Sequence, residues 1–214
     1  MNNKPTVSIA IGTTMFARYA DLPNTVSHAI AEFIDNALQS YRNNKDYFQS
    51  TNPDFRFKVT IDFDWNTDDN RARKIIISDN AGGLNFASFQ KAFMTAETPE
   101  DNKGLNEFGM GMKTAAGWLG DKWSVRTSAI GESVERFYEF DLPYVLENDV
   151  KELPYDENPS SESSHYTIVT IEEPTKNSPS QKSIDKIKLE LASIYRQSLR
   201  ANEMDLFVDG EPLS

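Results

Sequence analysis

The chain has 214 residues, 38% of them hydrophobic and 26% charged, enough for one domain with a proper core. Cysteine is absent and the histidines are only His28 and His165, which excludes disulfides, thiolate metal centres and a cysteine nucleophile and argues against a histidine-rich metal site. The net charge of −11 argues against broad nucleic-acid binding by this chain, no apolar run nears the ~18 residues a membrane span needs, and the N-terminus lacks a signal-peptide pattern.

Thr6 to Ile11 alternates and predicts a short strand. Pro23-Asn24-Thr25 is a start signal for an amphipathic helix running to about Arg42. Phe55 to Phe63 alternates as a half-buried strand, and Lys74 to Ser78 carries Ile75-Ile76-Ile77 into Asp79 as a buried one. Phe86 to Met94 predicts a short helix, Thr95 to Asn106 a polar mobile loop, and Gly109 to Leu119 a helix that opens on glycines. Trp123 to Ser128 and Val134 to Phe140 resemble paired strands around Gly131. Asn148 to Ser164, acidic and rich in Ser and Pro, reads as a surface excursion. Tyr166 to Ile171 predicts a strand, Ile184 to Leu199 a helix and Met204 to Val208 a last strand before an Asp209-Gly210 turn. Such a turn normally leads into a return strand, so the chain is expected to be the N-terminal part of a longer protein. Lys182, Lys186, Lys188, Arg196 and Arg200 read as a solvated helix face.

Three stretches carry chemistry. On the first helix, Glu32, Asp35, Asn36 and Gln39 fall in one narrow sector at 100° per residue, opposite Ile30, Phe33, Ile34, Ala37, Leu38 and Tyr41. Asn36 offers a neutral oxygen to a hard cation such as magnesium, Glu32 can take a proton from water, and Asp35 can share either task or orient a neighbour. Taken alone, a solvated acidic helix face accounts for the pattern. In the second stretch, Ser78-Asp79-Asn80-Ala81-Gly82-Gly83-Leu84, a carboxylate ends a buried strand before glycines that permit close approach. Such a carboxylate can accept from an exocyclic amine like that of adenine, and a plain strand-to-helix turn is the ordinary alternative. The third, Asn106-Glu107-Phe108-Gly109-Met110-Gly111-Met112-Lys113-Thr114, opens a helix whose free N–H groups suit a triphosphate, with Lys113 adding charge. It matches neither a Walker A loop nor a dinucleotide fingerprint, and a lone Gly-x-Gly is weak.

Their order along the chain resembles the GHKL ATPase superfamily, the group of DNA gyrase B subunits, heat-shock-type chaperones, histidine kinases and MutL. Ala29-Ile30-Ala31-Glu32-Phe33-Ile34-Asp35-Asn36-Ala37-Leu38, with His28 before it, and Gly109-Met110-Gly111-Met112-Lys113 are similar to the microrchidia (MORC) branch. The resemblance implies one α+β two-layer domain over residues 1–214: a Bergerat-type ATP-binding fold, with a mixed, largely antiparallel sheet and helices on one face. It implies ATP and Mg2+ as ligands, Glu32 as the catalytic base, Asn36 as magnesium ligand, and Asp79, Gly83 and Thr167 around adenine. Asp35, Asn36 and the run Phe108, Gly109, Met110, Gly111, Met112 and Lys113 complete the nucleotide-binding set, with residues 95–108 as a lid. It also implies an ATP-dependent homodimer that exchanges N-terminal segments, a catalytic lysine supplied by a following domain, no membrane, and nucleic-acid contact only through other regions. A cytoplasmic location, or nuclear in a eukaryote, goes with it. Two positions depart from the pattern: Ala81 stands at the first glycine of Asp-x-Gly-x-Gly, tolerable if its φ stays below zero, and Tyr166 replaces the glycine before Thr167. Two rivals are a non-catalytic nucleotide-gated interaction module and a MutL, gyrase or chaperone relative. A third reading, a histidine kinase, lacks support, because only 27 residues precede His28 in this sequence and they carry no helix pair with a phospho-accepting histidine.

Overall fold

The computed structural model describes residues 5–8, 18–93 and 110–214. Among them run β1 (Thr6–Ser8), α1 (Val26–Asn43), α2 (Lys45–Thr51), β2 (Lys58–Trp65), β3 (Ala72–Asp79), α3 (Phe86–Phe93) and α4 (Met110–Leu119). There follow β4 (Gly120–Ser128), β5 (Val134–Asp141), α5 (Leu142–Glu147), β6 (Glu152–Pro159), β7 (Tyr166–Pro174), α6 (Ile184–Ile194), α7 (Arg196–Arg200), β8 (Asp205–Val208) and β9 (Glu211–Pro212). The strands form one sheet in the order β1-β6-β5-β4-β7-β3-β2-β8-β9. Neighbours pair antiparallel except β2 and β8, which are parallel. The expected two-layer α/β architecture is therefore present.

Strand alternation lines up across the sheet into rows, because every second residue points to the same face. Tyr155, Tyr138, Val125, Val169, Ile77, Ile61 and Val208 are Cα partners from one strand to the next, and all are buried. A second row holds Phe140, Trp123, Ile171, Ile75 and Phe63. The third begins as Leu206 and Val59, then becomes Asp79, Thr167, Thr127 and Arg136. The helical layer covers this face, and the change from apolar to polar marks where the site begins.

The Thr25 side chain caps α1 by accepting from the His28 N–H. Asp209 and Gly210 both have positive φ, the geometry of a tight hairpin turn, and the expected return strand is β9. Three expectations shift. Phe55 and Phe57 precede β2, and their rings stack with Phe48 and Tyr41. The acidic excursion contains a real strand, β6, whose only buried apolar side chains are Leu153 and Tyr155. The last helix breaks at Tyr195 into α6 and α7, leaving Ile194 exposed. Of the first predicted strand only Thr6–Ser8 falls among the described residues, on the sheet edge against β6. Residues 95–108, expected as a lid, lie outside them, as do residues 9–17 of the N-terminal segment. Among the described residues no helix is long and apolar enough to cross a membrane.

Candidate functional site

A pocket opens where the third sheet row meets α1. Phe33, Ala37, Val59, Ile77, Leu84, Met112 and Val169 make its walls apolar. Asn36, Ser40, Asp79 and Thr167 are its polar groups, and Gly83 contributes backbone. Few, separated polar groups on an apolar lining suit a flat aromatic ligand that needs orienting.

Asp79 ends β3 directly opposite Thr167 of β7. Burial pushes its carboxyl up to about 7, and the single hydrogen bond from the Ala81 N–H, 2.9 Å, offsets this only partly. The bond occupies one oxygen and leaves the other for a ligand. Thr167 is backed by Thr127, whose hydroxyl lies 3.3 Å from that of Thr167, donates to the Tyr166 carbonyl and accepts from the Leu84 N–H. Thr127 is wholly buried. Sequence reasoning missed it, since only register reveals it.

Gly83 has φ +69°, and a Cβ there would lie 1.9 Å from the Ser128 carbonyl oxygen. The glycine is thus required by the crossing of this turn with the end of β4, whatever binds. Ser40 ties the turn to α1, its hydroxyl accepting from the Gly82 N–H at 3.1 Å. Asn80 turns outward and bonds the Arg56 carbonyl and the Lys58 N–H, while His165 donates from Nδ1 to the carbonyls of Asn80 and Ala81. Ala81 is fully buried and has no positive φ, so the methyl group fits where the resembling pattern has glycine. Tyr166 directs its hydroxyl to Glu135, and Thr167, next in the strand, lines the pocket on the other face. Neither departure obstructs the site.

The polar sector of α1 divides three ways. Asn36 lines the pocket. Glu32 lies against the first turn of α4, where a Cβ on Gly111 would come within 2.1 Å of its Oε2. Burial raises the affinity of Glu32 for a proton, and the charge of Asp35 adds to it. Asp35 itself accepts a 2.7 Å hydrogen bond from the Tyr195 hydroxyl at the α6–α7 junction. Met112 lines the pocket and Lys113 is buried, its ammonium pulled down to about 8 by that burial. Phe108 and Gly109 lie outside the described residues, as does the Met110 side chain. Among the described residues no group of three His, Asp or Glu side chains could hold a metal alone. Asn36, on the pocket wall, could give a hard cation one neutral oxygen.

A family model described as histidine kinase-, DNA gyrase B-, and HSP90-like ATPase matches residues 24–186. No curated protein sequence matches the chain.

Proposed function

The chain belongs to the histidine kinase-, DNA gyrase B- and HSP90-like ATPase family, and from that premise we propose that it binds ATP with magnesium and hydrolyses it within a MORC-like, ATP-gated clamp. The observation that carries this reading is Asp79. It is a carboxylate at the edge of an apolar pocket, facing Thr167 across the sheet, with a glycine turn beside it. On this reading Asp79 and Thr167 orient the adenine amine, and the backbone of Gly83 borders the base. Asn36 holds the magnesium, which when bound offsets phosphate charge. The first turn of α4, up to Lys113, faces the phosphates with the positive end of the helix dipole. Glu32 takes the proton of the attacking water, and its raised proton affinity suits a base. Most of the rate comes from positioning and electrostatics. Clamp closure brings two copies together through the N-terminal segment, for which the edge position of β1 is favourable.

Calorimetric titration with ADP and a non-hydrolysable ATP analogue, with and without magnesium, tests the reading. Magnesium-strengthened binding is expected, and a folded protein that binds neither nucleotide refutes it. Glu32→Gln is expected to keep the analogue affinity within about threefold and lower turnover by ~100- to 10,000-fold. Unchanged turnover in that variant removes Glu32 from the mechanism. Turnover absent from the wild type, with tight binding kept, leaves a nucleotide-gated module in place of an enzyme.

A further inference from the structure

One polar side chain on the nucleotide-facing helix has been drawn away from the site, by a residue beyond the end of the family match. Tyr195 is 4% exposed, and its hydroxyl lies 2.7 Å from Asp35 Oδ1 and 3.0 Å from the Ala31 carbonyl oxygen. Ala31 and Asp35 are four residues apart, so the phenol seats on one face of α1 at two points. The ring is placed by packing where α6 ends and α7 begins. Burial, together with the hydrogen bond to Asp35, keeps the phenol protonated far above its usual range, so it remains a donor.

Asp35 stands about 60° from Glu32 around the helix and Asn36 about 40° on the other side. Left alone, two carboxylates would border the place where the α4 N-terminus begins. A triphosphate gains from one base there and loses from a second negative charge. We propose that Tyr195 is a positioning residue that holds Asp35 off the phosphate region, so that of the two α1 carboxylates Glu32 alone is presented to it. The inference rests on the ATP-binding reading.

Two further links show that the effect is local. Ser27 donates to Glu190 at 2.6 Å, and Arg42 grips Glu203 through two bonds of 2.9 and 2.8 Å. They hold α1 to α6 on one side of Tyr195 and to the turn between α7 and β8 on the other. Loss of one hydroxyl therefore leaves the helices docked and frees only the Asp35 side chain.

The test is calorimetric titration of the wild type, Tyr195→Phe and the double variant Tyr195→Phe/Asp35→Asn, each with adenosine and with a magnesium-loaded non-hydrolysable ATP analogue. Phenylalanine keeps the ring packing, and the exposed Asp35 can turn to water, so the variant is expected to fold. Tyr195→Phe should bind the analogue roughly tenfold more weakly, less so at high salt, while adenosine affinity stays within about twofold. The double variant should recover the wild-type analogue affinity. Equal weakening for both ligands, or no recovery in the double variant, means that Tyr195 only packs, and overturns the proposal. Identical analogue affinity in Tyr195→Phe and wild type also overturns it while the ATP reading stands. A wild type that binds neither ligand overturns the ATP reading and this inference together.

Discussion

Asp79→Asn is expected to weaken nucleotide binding by about a hundredfold or more, yet to raise the melting temperature of the free protein at pH 8 by several degrees. Both effects come from one carboxyl whose proton affinity is raised to about 7. In the unfolded chain this group ionises near pH 3.8, so the folded protein holds its proton more tightly. Its contribution to stability is therefore full below about pH 4 and is lost as pH rises through about 7. Above that pH the native state carries a poorly solvated charge, a cost on the order of 2 kcal/mol once pocket water is allowed for. Asparagine keeps an oxygen for the Ala81 N–H and removes the charge. It also turns one acceptor into a donor, which meets an adenine amine donor to donor. In the wild type, base binding favours the ionised form, so affinity should rise between pH 6 and 8, with proton uptake by the buffer visible in the calorimeter. The variant should show neither effect. A pH-independent wild type would show that Asp79 is not the group that meets the base.

Gly83→Ala is expected to be the most damaging of the single-methyl changes at a turn. It should cost about 3–5 kcal/mol and lower the melting temperature by roughly 10 °C. Two penalties combine there. A φ of +69° costs a residue with a side chain about 1–2 kcal/mol. The methyl group would also meet backbone atoms of Ser128 and Ala129 at 1.9, 2.7 and 2.9 Å, and backbone yields far less readily than a flexible side chain. Gly131 separates the terms. Its φ is +78°, but nothing lies within 4 Å of a Cβ there, so Gly131→Ala should cost only the conformational part. Thermal melts of the two variants measure the difference, and equal losses would show that the crossing of this turn over β4 is not tight.

Where periodicity was strong, the sequence read well. The apolar positions of α1 sit in the core, the Ile75-Ile77 strand runs into Asp79, and α4 begins among the glycines. Where tertiary pairing overrides composition, it read poorly. β6 is a strand because β5 and β1 flank it, although Asp156, Glu157, Asn158 and Pro159 give no strand pattern of their own. The polar sector of α1 looked like one surface, and packing partners from α4 and α6–α7 divide it. Hydrophobic periodicity counts the ring of Tyr195 and ignores its hydroxyl, so the bond to Asp35 leaves no trace in the sequence pattern. Thr127 could be found only by laying β4 against β7.

The sheet order also sets how the chain must fold. β3 reaches its inner partner β7 through pairs such as Ile75 with Ile171, about a hundred residues apart, and β2 closes on β8 still later. Until residues beyond 166 have been synthesised, the β2–β3 hairpin has an unpaired edge and an uncovered row of Ile and Phe. Loops of this length are slow to close, and such edges invite association between chains. Refolding followed by the fluorescence of Trp123, buried beside β7, should therefore be slow, with a yield that falls as protein concentration rises. The strand that completes the pocket is also the one the nascent chain must wait for.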